Sequence, residues 1–220
     1  RQRQMCIRDR LTSEGHPTDT GQRLARFGAH PRLGLLLLQA HALGRPQVGA
    51  DLASILNERD LLSHNNHGSD LWARMLLLRD HRSSARIPGD RAAADRLRTV
   101  LDQSRRWLQQ LGQFEQEREP QGIEATDEQL AAQLIATAFP EWIAVARPGQ
   151  RGQFLLRQGR GAALQVSDPL DGAEALAIAQ LDLGDTRAKI RLALPLTHQW
   201  VRDLADQNGH WQERVLWDLS

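Results

Sequence analysis

The chain has 220 residues, 40% of them hydrophobic and 25% charged, with a formal net charge of +1. This profile excludes a disordered polymer and leaves room for one large or two small cores. The lone cysteine, Cys6, excludes a disulfide framework and a cysteine-based zinc site within one chain, and no apolar run approaches the roughly 20 residues of a bilayer-spanning helix.

Charge is unevenly spread. Residues 1–112 hold 18 Arg against 11 acids, and residues 113–220 hold 10 Arg and Lys against 16 acids. Nearly every cation is Arg, with Lys189 the sole lysine. The first ten residues, RQRQMCIRDR, lack the apolar centre of a signal peptide and resemble a translated adapter scar. They are set aside as non-native, and the chain is expected to begin inside a larger protein. A reducing, cytoplasmic setting is expected.

Thr18 is placed to cap a helix whose apolar face is Leu24 and Phe27. Gly28 and Ala29 break it, and His30 caps or packs against the next start. Pro31 fits a first helical turn, where its missing N–H costs nothing. Leu33, Leu36, Leu37 and Ala40 form the inner stripe of that helix, which Gly44 closes. A third helix is predicted over Gln47–Asn57, with Val48, Leu52, Ile55 and Leu56 inward. Asn65–Ser69 reads as a polar loop. A fourth helix follows over Asp70–Arg82 and a long fifth over Arg91–Leu111. These five make a helical array without a convincing repeat.

Phe114–Ala125 is charged and carries Pro120 and Gly122, so it reads as a linker. Thr126 and Gln129 form a capping-box pattern for a helix ending near Ala138. The spacing then changes. Short apolar runs broken by Gly, Pro and Asp predict strands over Trp142–Ala146, Gln153–Leu156, Ala162–Val166, Ala175–Leu183 and Ala188–Leu194. A short helix over Thr197–Ala205 and a strand over Glu213–Trp217 finish the chain. Five strands are too few for a sandwich and suit an OB-type barrel. The expected fold class is α+β in two domains, an all-α array followed by a five-stranded barrel with flanking helices.

Between Glu141 and Asp168 the only charged residues are Arg147, Arg151, Arg157 and Arg160, all at or beside turns. Barrel loops bearing cations and no acids suit a phosphate backbone, whereas arginines on hairpin turns also serve plain solubility. Arg32 and Arg59 are weaker candidates in the helical half. No phosphate loop, G-x-S-x-G elbow, H-E-x-x-H or C-x-x-C occurs. His64 and His67 have loose ligand spacing but no third partner. Asp168 and Asp171 flank Pro169 as turn formers. Each of Trp72, Trp107, Trp142, Trp200, Trp211 and Trp217 could stack a base, though each also fits a core position. No catalytic, cofactor-binding or metal-ligating residue is assigned.

Four passages resemble one family. Gly21-Gln-Arg-Leu-Ala-Arg-Phe-Gly-Ala-His30-Pro31-Arg32-Leu33 looks like G-x-x-L-A-x-L-x-x-H-P-R-L, and Asp51-Leu-Ala-Ser-Ile-Leu-Asn-Glu58-Arg59-Asp60 looks like D-L-A-x-L-L-x-E-R-D. Ala138-Phe139-Pro140-Glu141-Trp142-Ile143-Ala144, with Phe154-Leu-Leu-Arg157-Gln-Gly159-Arg160-Gly161-Ala162, looks like A-[FY]-P-D-R-I-A followed by Y-L-L-x-N-G-R-G-A. Asp168-Pro169-Leu170, Ile190-Arg191-Leu192-Ala193 and Val215-Leu216-Trp217-Asp218 match later turns and strands. Together they resemble the C-terminal accessory region of DEAH-box ATP-dependent helicases, most closely the bacterial HrpB type. Trp142 departs from the pattern where an Arg or Lys is common.

The resemblance implies an RNA helicase whose two RecA-like motor domains, with ATP and Mg, lie upstream. It divides the chain into a winged-helix-like end at 11–29, a ratchet-like domain at 30–112, a linker at 113–125 and an OB-fold at 126–220. The implied partners are single-stranded RNA, with DNA not excluded, the motor domains, and an activating protein on the OB-fold. The fragment alone would be inactive. A protein-docking module is the competing reading, since the acidic second half repels nucleic acid at long range.

Overall fold

In the first half, apolar residues recur at helical spacing and the chain coils accordingly. The computed structural model describes residues 16, 18–62, 68–84, 91–114, 125–184 and 187–207. Helix α1 covers Asp19–Arg26, with the Thr18 hydroxyl accepting from the Gly21 N–H. Helix α2 covers Pro31–Ala42, α3 Pro46–Asn57, α4 Leu71–Ser84 and α5 Arg91–Leu111. The stripe Leu33, Leu36, Leu37 and Ala40 is buried as its spacing requires.

One polar cluster ties three of these helices together. Asp51 on α3 is almost fully buried. It accepts from Arg82 Nη1 on α4 at 2.6 Å, from Ser104 Oγ on α5 at 2.6 Å and from Gln47 Nε2 at 2.9 Å. A carboxylate can be buried only when its lone pairs are so occupied.

Helix α6 covers Asp127–Ala138 and carries the full reciprocal cap between Thr126 and Gln129. A 3₁₀ turn, Pro140–Trp142, leads into β1 at Ile143–Ala146. Strands β2 at Gln153–Leu156, β3 at Gly161–Ala163, β4 at Ala175–Asp182 and β5 at Ala188–Leu196 follow, then α7 at His198–Gln207. The strands close into a barrel of order β1-β2-β3-β5-β4, with β3 and β5 parallel and the other pairs antiparallel. This is an α+β fold in two parts.

Strand β3 is shorter than its apolar run predicts. Past Ala163 the Leu164 N–H turns to the Gly152 carbonyl, and Ser167 adopts a φ of 61°, so the chain leaves the sheet. The predicted strand Glu213–Trp217, the pair His64 and His67, Trp211, and most of the predicted linker lie outside the described residues.

Two cores hold the fold. Phe154, Leu156, Ala162, Leu176, Ile178 and Ile190 fill the barrel. The other core runs through the helices and takes in Ala175, Ala177, Ala179, Leu192, Leu194 and Leu196 from the outer face of β4 and β5. Both faces of those strands are therefore covered, which accounts for their continuous apolar sequence.

A second junction lies at Gly68–Asp70. The Ser69 N–H donates to Asp168 Oδ2 at 2.8 Å, its hydroxyl to the Ile190 carbonyl at 3.1 Å, and its carbonyl accepts from the Ala193 N–H at 2.9 Å. Gly68 is forced here. Its φ is +55°, and a Cβ would lie 2.5 Å from Pro169 Cδ.

Candidate nucleic-acid interface

Helices cover the outside of β4 and much of β5, so among the described residues the outer face of β1, β2 and β3 is the side of the barrel left uncovered. Strand alternation decides what it presents. Phe154, Leu156, Ala144 and Ala162 point inward. Their neighbours Val145, Gln153, Leu155, Gly161 and Ala163 therefore face out. Register aligns Val145 with Leu155 and Leu155 with Gly161, a row across three strands. Leu155 is 41% exposed.

Arg147 and Arg151 sit on the β1–β2 turn, and Arg157 and Arg160 on the β2–β3 turn. These turns lie at opposite ends of β2, about 13 Å apart for four extended residues. Arg147 narrows the gap. Its side chain crosses β2 so that Nη2 is 3.4 Å from where a Cβ on Gly161 would be. Arg160 donates to the Gly184 carbonyl in the β4–β5 loop. Arg157 is exposed and forms no ion pair among the described residues. These three gather toward one end of the open face. Arg151 does not join them, being ion-paired with Asp171 at 3.0 Å on the β3–β4 side.

Arg32 is placed differently from the barrel cations. It pairs with Glu141, and its guanidinium lies 5.0 Å from the Phe139 ring centre and 5.8 Å from that of Trp142. The two rings are stacked, 5.2 Å apart. An arginine in the first turn of a helix is not helped by the dipole. Here a carboxylate and two aromatic faces supply the compensation. The structure uses Arg32 to brace α2 against the entrance to β1, and Trp142 serves that brace.

Arg59 is exposed just beyond the end of α3. Its neighbour Asp60 binds Arg74 through Nε at 2.9 Å and Nη2 at 2.7 Å. Arg74 has no exposed side-chain surface. The Glu58-Arg59-Asp60 passage thus divides its work, with Asp60 turned inward and Arg59 outward.

Sequence reasoning missed Lys189 and Arg187. The parallel β3–β5 pairing sets Lys189 beside Ala163, and both cations are exposed. The signal was a lone lysine in an apolar alternation, Ala188-Lys189-Ile190. Its meaning needed the pairing of strands some 25 residues apart.

Nothing in the described residues suggests bond chemistry. No three His, Cys, Asp or Glu side chains gather to hold a metal among them, and no described helix is long and apolar enough to cross a membrane. Among the described residues, Glu128 on α6 has its carboxyl pushed above its ordinary value by burial first and by the nearby Asp70 charge second. It lies away from the open face.

A helical array sharing a core with a closed five-stranded barrel, its free face edged with cations, defines a fold of the OB class with an attached helical part. No protein-family model matches the chain. The ATP-dependent RNA helicase HrpB of Escherichia coli K12 is 28% identical over 200 residues, covering 90% of this chain and 21% of that protein. A crystal structure of the E. coli DExH-box NTPase HrpB superposes with a TM-score of 0.66 at 27% identity, over 94% of this chain and 22% of that one. A second, of the E. coli DEAH/RHA helicase HrpB, gives 0.63 at 24% identity over 90% and 21%, and supports the fold. The chain is homologous to a C-terminal portion of HrpB, a DEAH-box helicase, and spans about a fifth of the relatives it matches.

Proposed function

We propose that this chain is the nucleic-acid-gripping accessory region of an ATP-dependent RNA helicase, and that the strand is held on the open face of the barrel. One observation carries the proposal. On a chain homologous to a helicase, Arg147, Arg157 and Arg160 gather on a sheet face whose strands β1–β3 and connecting turns contain no acid, while Lys189 on β5 lies opposite Asp182 of β4. Phosphates supply the missing counter-charge, and release of condensed ions drives binding.

In this reading Arg59 is a peripheral contact, Arg151 is spoken for by Asp171, and Arg32 acts in bracing. The ratchet-like and OB parts divide near residues 113–125. ATP and Mg belong to RecA-like motor domains outside this chain, the intact protein works in the cytoplasm, and the chain alone hydrolyses nothing. The acid excess of residues 113–220 favours a second reading, in which the barrel docks an activating protein.

A titration with labelled single-stranded RNA across a salt series tests the proposal. Replacing Arg157 and Arg160 together with Ala should weaken binding and flatten the slope of log K on log salt by about 1.4, from about 0.7 per phosphate contact. Equal affinity and slope in both proteins would reject the proposal and leave the docking reading.

A further inference from the structure

We infer that Gly161, Leu155 and Arg147 form a seat for one nucleotide, its base resting on Leu155 and its phosphate held by Arg147. The inference rests on the proposed function and narrows it to one subsite.

Gly161 is the starting point. Its backbone is not in the left-handed region, unlike Gly149, Gly152 and Gly159 in the turns nearby. A strand here would accept a side chain. The place its Cβ would take has one neighbour within 4 Å, the Arg147 Nη2 at 3.4 Å. What the glycine provides is clearance, which lets a long cationic side chain reach across β2 and settle over β3.

The contents of that clearance suit one kind of ligand. Arg147 forms no ion pair among the described residues, whereas Arg151 pairs with Asp171 and Arg191 with Asp182. Leu155 lies directly across from Gly161 on the same face, with Val145 beyond it. An unneutralised cation beside a small exposed apolar surface complements an anion that carries a flat apolar body. A nucleotide within a single strand has that form. The row Val145–Leu155–Gly161 offers no side-chain hydrogen-bonding group, so the seat takes any base.

Anisotropy titrations of the full chain with labelled oligo-U and oligo-A, at about 50 mM salt, read the outcome. Gly161→Val fits the strand backbone and should leave the melting temperature unchanged, yet lower affinity about tenfold, the scale of one lost charge-assisted phosphate contact. Arg147→Ala should cost a similar factor, and the double variant little more, because both remove the same seat. Arg151→Ala should bind as the parent does. Parent-like binding by Gly161→Val, or a preference above about tenfold for one oligomer, overturns the seat. If Arg157→Ala/Arg160→Ala still weakens binding in that event, the gripping role survives without it. If that variant too is unaffected, the proposed function falls as well.

Discussion

Replacing Asp60 with Ala exposes how the helical part is secured. The Arg74 guanidinium has no solvent contact and donates two bonds to the Asp60 carboxylate, at 2.9 and 2.7 Å, and one to the Asp70 carbonyl at 2.7 Å. Removing the carboxylate takes two charge-assisted bonds from a buried cation, and breaking a buried pair in this way costs about 3–5 kcal/mol. At about 2–4 °C per kcal/mol for a chain of this size, melting should fall by about 6–20 °C. Thermal and urea unfolding of the chain, followed by far-UV circular dichroism, measures the loss. Adding Arg74→Met in the same protein should recover most of it, since an apolar chain of similar volume needs no partner. A loss below about 1 kcal/mol for the single variant would refute the reasoning, because that is the range of an exposed pair. Asp60 also ends the passage that holds Arg59 outward, so the same variant reports on how that cation is presented.

Two further perturbations follow from the fold. Gly68→Ala should destabilise by about 2 kcal/mol or more, because the added methyl meets Pro169 Cδ at 2.5 Å on a backbone of φ +55°; a urea midpoint within error of the parent would show that the junction yields freely. Glu128→Gln should stabilise the chain at neutral pH. The carboxyl is raised above 4.5, so whatever stability it supplies is complete below the unfolded value and is lost as pH rises through the folded one. The gain should therefore vanish near pH 4 and grow toward pH 7, and a variant advantage that is the same at both would contradict the assigned cause.

Local signals were legible wherever local forces decide. Thr18 and Thr126 announced their helices because a cap is settled within four residues. Leu33, Leu36, Leu37 and Ala40 announced a buried face because the helical period is fixed. The pattern around Phe154 gave β2 its bounds for the same reason. What stayed hidden was decided by distant partners. The end of β3 depends on Gly152 and on the turn at Ser167. The brace at Arg32 depends on Glu141, more than a hundred residues away. Arg147, Arg151, Arg157 and Arg160 looked alike in sequence, yet Asp171 claims one of them and the bare backbone at Gly161 frees another to cross the sheet. Which cations remain available to a ligand is a property of register, which one sequence does not reveal.

The core that runs from the helices into the back of β4 and β5 has a mechanical consequence. A hinge between the helical array and the barrel would have to draw Leu192, Leu194 and Leu196 out of apolar surroundings, at about 1.5–3 kcal/mol for each side chain. The array and the arginine-edged face should therefore move as one stiff piece.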